Sequence, residues 1–211
     1  MNPYSYPKTR HSRTQFPRDY ATYRAYKPYL QKEFGARCVY CRQPDGPKGY
    51  ASFGVDHYRP KTLFPERERL YTNLFYSCST CNTRKGPYWP SDADLAKLFI
   101  PNPCDHAMFE HLRYKEATVI SRSPAGEVAI AVLDLNAPTV VQYRETMLHL
   151  IELQEADIAK LRGMADKLKA RKVSGAISEA DYISRLQRID NELAKGTAAL
   201  GMLDGTIPAQ P

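Results

Sequence analysis

The chain has 211 residues, 43% hydrophobic and 25% charged, enough for one good-sized domain, or for a compact module with an appendage. It contains no run of 18 or more apolar residues, which excludes a transmembrane helix, and no apolar N-terminal stretch of the secretory kind, so a cytoplasmic location is expected. Residues 1–100 carry 17 Lys and Arg against 8 Asp and Glu, residues 101–211 carry 13 against 15, and the total is +7; a basic first half beside a near-neutral second half suits contact with a polyanion, although solubility alone gives the same charge a plainer meaning.

In chain order, residues 1–18 are rich in Pro, Tyr, Arg and Lys and poor in aliphatics. They read as an extended basic, aromatic arm, mobile until something binds it. Its Tyr4, Tyr6, Arg10, Arg13 and Arg18 have the chemistry to stack on bases or pair with phosphates, and a plain disordered tail fits equally. From Asp19 to Phe34, Tyr23, Tyr26, Leu30 and Phe34 recur at three- and four-residue steps. This predicts a helix, kinked or broken at Pro28 and ended at Gly35. Residues 38–85 are the motif-rich core, with short strands expected over 50–58 and a helix starting near Cys78 or Ser79. A proline-rich connection over 86–103 includes a short helix around 93–99. Residues 117–121 and 128–133 are β-prone on either side of Ser123-Pro124-Ala125-Gly126, which predicts a hairpin.

A long helix is expected from about Pro138 to Lys172, with Val141, Leu148, Ile151, Ile158, Leu161 and Leu168 as its apolar stripe. Residues 173–176 break it. Ser178, with Asp181 three residues on, starts a second helix in the manner of a capping box, and Ile183, Leu186, Ile189 and Leu193 form its apolar face. Such a helical hairpin needs a partner surface. The division expected is an arm at 1–18, a central domain at 19–136 and a C-terminal hairpin with tail at 137–211.

Four of the five cysteines fall in two C-x-x-C pairs, Cys38-Val39-Tyr40-Cys41 and Cys78-Ser79-Thr80-Cys81, and Cys104 stands apart. Without a secretory signal this pattern favours metal over disulfides. Each pair on a tight turn offers two thiolates, and four thiolates close a tetrahedral structural Zn2+ site that has no open position for water. Four buried free thiols are the bland alternative. The 36 residues between the pairs exceed zinc-ribbon spacing, so they hold an inserted element of their own.

That element carries Val55-Asp56-His57-Tyr58-Arg59-Pro60-Lys61 and Tyr71-Thr72-Asn73-Leu74, and Asn82-Thr83-Arg84-Lys85 follows Cys81. A neutral imidazole can take a proton from water near pH 7. A carboxylate and an amide oxygen can hold a hard, partly hydrated cation, which stabilises charge on a phosphate and its leaving oxygen. Arg59, Lys61, Arg84 and Lys85 can grip a phosphate backbone. Taken singly, Asp56-His57 also reads as a surface pair, Asn82 as a helix cap, and Arg59 and Lys61 as solvent-facing charge.

The order C-x-x-C, D-H, N-L, C-x-x-C-N and then Lys resembles the HNH endonucleases, over residues 38–85, about a quarter of the chain. The resemblance implies an α+β fold: a ββα-metal core stapled by a four-cysteine zinc site, here followed by the helical hairpin. It implies His57 as general base, Asp56 and Asn82 as ligands of a catalytic divalent ion, and Asn73 as the residue that ties the loop holding His57. Asp stands where many members have the first His, and Asn where they have the last; both favour Mg2+ or Mn2+ at the catalytic site. The D-H-Y-R-P-K form, Pro101-Asn102-Pro103 and Leu133-Asp134-Leu135-Asn136 are similar to standalone HNH nucleases of bacterial antiphage systems, of the retron-associated or Septu type. There the nuclease commonly works beside an ATPase, so the hairpin is expected to dock such a subunit or a second copy, with internal packing as the plain alternative. The expected activity is metal-dependent phosphodiester hydrolysis in DNA, with RNA as the alternative polymer and no membrane involved. A non-catalytic zinc knuckle that binds nucleic acid, or a docking subunit, is the rival reading.

Overall fold

The computed structural model describes residues 3–211; Met1 and Asn2, the first residues of the expected arm, lie outside the described residues. A single 3-10 turn at Tyr23–Tyr26 leads into helix α1, Lys27–Glu33. Pro28 sits in the first turn of α1 rather than breaking a longer helix, because its missing N–H is an orphan there in any case. The helix stops where Gly35 takes φ +58°, a conformation that costs glycine little.

Strand β1, Phe53–His57, pairs antiparallel with β2, Leu74–Cys78, in a register from Phe53 opposite Cys78 to His57 opposite Leu74. β2 is buried along its whole length and runs directly into helix α2, Ser79–Lys85, whose N-cap is Cys78. The three elements form the ββα unit. The strand expected over 50–58 is shorter at its start, since residues 50–52 form a 3-10 turn. No helix forms around 93–99; successive turns fill the stretch.

Helix α3, Met108–His111, leads into a second hairpin, β3 (Leu112–Lys115) with β4 (Thr118–Ser121). The hairpin expected within 113–133, with strands at 117–121 and 128–133, thus forms earlier in the chain. Residues 124–133 form helix α4, Pro124–Leu133, not a strand. Ser123 caps it by accepting from the Gly126 N–H, and Pro124 occupies the first turn, a start signal rather than a turn signal. Ala125, Ala129 and Leu133, four residues apart, face the core. A Cβ at Gly126 would come within 2.1 Å of the His111 carbonyl oxygen, so only glycine fits there.

Helices α5, Pro138–Val173, and α6, Glu179–Asp204, form the C-terminal hairpin, with Ser178 accepting from the Asp181 N–H. Ile151, Ile158, Leu168 and Ile189 are buried between them, but Ile183, expected on the inner face, is 55% exposed. Buried Arg144 ties the base of α5 to the domain through the carbonyls of Ala117 and Leu135. No helix among the described residues is long and apolar enough to cross a membrane.

The arm is extended as expected, yet it is packed rather than loose. Tyr4 and Tyr6 are buried, and Tyr6 stacks on Tyr114 with centroids 5.3 Å apart. Glu33 accepts from the backbone N–H groups of Thr14 and Gln15 and from His11. Burial pushes the Glu33 carboxyl up, but these donors outweigh it and hold it below its ordinary value. Arg13 donates to the Leu74 carbonyl oxygen and lies over Phe34, Tyr71 and Phe75. Tyr4, Tyr6 and Arg13 therefore serve the core instead of facing bases, while Arg10 and Arg18 stay exposed.

Candidate active site and metal centre

The two C-x-x-C turns meet. Their ligand atoms all lie within 4.8 Å of one another, and all four cysteines are buried. The first pair sits on a turn closed by the Arg42 N–H donating to the Cys38 carbonyl oxygen, and the second spans the cap and first turn of α2. Burial raises Cys38, but hydrogen bonds from Cys41, Cys78 and Cys81 outweigh it and hold that thiol well below its ordinary range. Hydrogen bonding to Cys38 in turn pushes Cys78 and Cys81 up. Four buried sulfurs this close together are a cluster suited to a metal ion, and a closed all-sulfur set is structural in type. Cys104 is half-buried and outside the cluster.

Asp56 and His57 are the last two residues of β1 and are 3% and 9% exposed. On Asp56, Oδ2 accepts from the Tyr40 hydroxyl at 2.5 Å, and Oδ1 faces Lys85 Nζ at 3.2 Å. Burial and the Asp56 charge push the Tyr40 phenol well up, so it stays a donor. Asn82, on the first turn of α2, donates through Nδ2 to the Val55 carbonyl oxygen at 3.4 Å. Its Oδ1 is thereby left as an acceptor one residue along the strand from Asp56. Both side chains offer oxygen, the donor chemistry of Mg2+ or Mn2+. A carboxylate has about four acceptor directions, of which the two donors take two, so these residues could hold a divalent cation.

The His57 ring lies edge-on to Tyr23, with centroids 4.6 Å apart, and its Nε2 is 3.0 Å from the Glu68 carbonyl oxygen. A carbonyl only accepts, so Nε2 carries the proton and Nδ1 is the nitrogen able to take one. Burial lowers the His57 pKa, with the Glu68 carbonyl and Asp56 opposing it; the ring is neutral at pH 7. Asn73 spans the loop between the strands. Its Oδ1 accepts from the Arg59 N–H at 2.9 Å, and its Nδ2 donates to the carbonyls of Arg59 and Arg67 at 3.1 and 3.3 Å. It thus fixes both ends of the segment that carries Glu68 to His57.

The four basic candidates separate. Lys61 is exposed, with Glu68 3.2 Å away and the Tyr23 ring beneath it. Arg59 lies over Phe64 and Trp89. Both flank His57. Lys85 does not reach solvent: it is 3% exposed, and its ammonium donates to Asp56 and to the His57 carbonyl oxygen. Arg84 is tied to Asp134 and to the carbonyls of Leu133 and Asp134. These two hold the module together instead of facing a polyanion. Tyr40, Tyr23 and Glu68 are site residues that the motif does not announce, and only the place of Tyr40 between two cysteines hinted at its position.

A two-stranded hairpin runs into a helix, with the four-cysteine cluster at one end and Asp56-His57 at the other, and together they make a ββα module. Residues 38–87 match the HNH endonuclease family model. At a finer level, the chain is similar to the Septu protein PtuB of Bacillus mycoides (strain KBAB4), 27% identical over 173 residues, covering 69% of this chain and 58% of that protein. It is also similar to the Septu protein PtuB of Bacillus thuringiensis, 25% identical over 190 residues, covering 88% and 64%. The chain thus spans about six-tenths of the length of the curated relatives it matches. No solved structure matches it.

Proposed function

We propose that this chain is a metal-dependent endonuclease that hydrolyses phosphodiester bonds in DNA and serves bacterial antiphage defence. The observation that carries the reading is the tip of β1. There a buried carboxylate and a neutral imidazole sit side by side, the imidazole held by the Glu68 carbonyl in the tautomer that leaves Nδ1 free for a proton. His57 Nδ1 takes the proton of the attacking water, a role worth about 10²–10⁴ in rate. Asp56 and Asn82 hold the divalent cation, which when bound supplies charge stabilisation at the phosphate. Asn73 keeps the loop, and through Glu68 the ring, in place. Arg59 and Lys61 meet the phosphate backbone beside the scissile bond. The four-cysteine cluster holds Zn2+ and serves the fold alone.

The similarity to Septu PtuB supports the defence setting and a partner subunit. The C-terminal hairpin suits that contact: Leu150, Leu153, Met164 and Ile183 are 39–55% exposed on it, apolar side chains that the two helices do not hide from solvent. An ATPase subunit is the partner expected, a second copy the alternative.

Plasmid nicking tests the reading. Wild type should cleave with Mg2+ and stop when it is chelated, and His57→Ala should lose about 10²–10⁴ in rate while keeping its zinc. Equal cleavage by both proteins would overturn the assignment. Salt-sensitive binding with no cleavage, indifferent to Mg2+, would favour the non-catalytic alternative.

A further inference from the structure

Tyr40 stands in the middle of the first C-x-x-C turn, 1% exposed. Packing explains its ring, which belongs to the core cluster, and phenylalanine would pack equally well. Its hydroxyl needs another reason, and it has one: it donates to Asp56 Oδ2 at 2.5 Å, across 16 residues of chain. From the opposite side Lys85 donates to Asp56 Oδ1 at 3.2 Å and to the His57 carbonyl oxygen at 2.7 Å. With one donor on each oxygen, the Asp56 carboxylate cannot rotate freely about its terminal torsion, which is broad when unrestrained. The position of Tyr40 is itself set by Cys38 and Cys41 on either side, and by the Tyr6 hydroxyl donating to the Tyr40 carbonyl oxygen at 2.7 Å.

We infer that Tyr40 is a positioning residue: it carries the geometry of the four-cysteine knuckle to the Asp56 carboxylate and fixes that carboxylate for one divalent cation. The inference rests on the reading of Asp56 as a cation ligand. A carboxylate with a donor on each oxygen keeps one acceptor direction on each, in a plane that the two donors fix. A carboxylate set in advance in this way suits the strict octahedron of Mg2+ or Mn2+.

The test is Mn2+ binding to the zinc-loaded full chain by titration calorimetry, with zinc content measured beside it. Tyr40→Phe should keep about one zinc per chain and bind Mn2+ about 10- to 100-fold more weakly than wild type, the usual loss when a ligand's hydrogen-bond partner is removed. Tyr6→Phe removes one of the holds on the same turn and leaves the Tyr40 hydroxyl on Asp56, so it should weaken Mn2+ binding by clearly less than Tyr40→Phe does. In an Asp56→Asn background, adding Tyr40→Phe should weaken binding no further, since both changes act through one group. Equal Mn2+ affinity in wild type and Tyr40→Phe overturns the inference and leaves the nuclease reading intact. So does loss of zinc in Tyr40→Phe, or an equal loss of Mn2+ affinity in Tyr6→Phe, because either makes the role purely one of packing. A folded, zinc-loaded wild type that binds no Mn2+ overturns the ligand reading of Asp56 and this inference with it.

Discussion

The ββα region and the C-terminal hairpin are built on opposite terms. In the first, polar groups are buried: Asp45, Asp56, His57, Asn73 and Lys85 are all 9% exposed or less, and each has a hydrogen-bond partner. In the second, apolar groups are exposed, and a groove between α5 and α6 is lined by Leu161, Met164, Leu168 and Ile189 together with Lys167, Arg171, Arg185, Arg188 and Glu192. Buried polar groups are costly unless satisfied, so a region full of them holds one geometry, the condition a reaction centre demands. Exposed apolar surface sets no geometry alone; it marks where a contact has yet to be made. The difference teaches where chemistry and where assembly should be sought.

The largest way to break the contrast is at the clamp. Cys81→Ser should release the metal and unfold the ββα unit, since structural zinc is itself folding free energy, about 10–16 kcal/mol in small zinc peptides. Circular dichroism and metal analysis should show loss of both together, while the helical signal of α5 and α6 persists. Next comes the loop. Asn73→Ala leaves the Arg59 N–H and two carbonyls without the partner they have now. It should destabilise by about 1–3 kcal/mol and lower the cleavage rate by about tenfold or more, because a small misplacement of His57 is expensive; a thermal melt with a rate assay separates the two effects.

A pH profile sharpens the comparison further. The His57 pKa is lowered from 6.5, chiefly by burial. The base is therefore active in its neutral form down to a pH below 6.5, and the acid limb of kcat/KM should fall below that value. The stability sign agrees: a His with a depressed folded pKa contributes stability above its unfolded pKa, and that stability is lost as pH falls through the folded one. An acid limb at or above pH 6.5 would contradict a buried neutral base. The smallest effect belongs to the hairpin: Ile183→Gln should change the melting free energy by no more than about 0.5 kcal/mol, yet weaken any complex formed through that face, as sedimentation with the partner would report.

The metal cluster was legible because its marks are local. Both C-x-x-C pairs lie on one turn each, so spacing alone brings out the four-cysteine cluster, whereas the roles expected of Asp56, His57 and Asn82 came from the resemblance to HNH endonucleases. What stayed hidden is carried by distant pairs. Lys85 reads as a surface cation because most lysines are, and only the fold, bringing α2 against β1, reveals its ammonium on Asp56 29 residues away. The Tyr40 hydroxyl is hidden for the same reason. Helix α4 was obscured by alternating Val128, Ile130 and Val132, which mimic a strand, while the four-residue step of Ala125, Ala129 and Leu133 was the true signal. The arm was misread because its composition is that of a disordered segment, although one buried carboxylate, Glu33, is enough to gather its backbone donors.

That arm has a consequence for biosynthesis. Arg13 leaves the ribosome well before its partner, the Leu74 carbonyl, 61 residues later in the chain. At about 5–20 residues per second the strap waits ~3–12 s, at least, before β2 exists to receive it. Until then Arg13 has only Phe34, and not Tyr71, Phe75 or the Leu74 carbonyl, to rest on. The arm is thus translated ahead of the strand that fastens it, and the nascent module stays open at that seam until β2 has emerged.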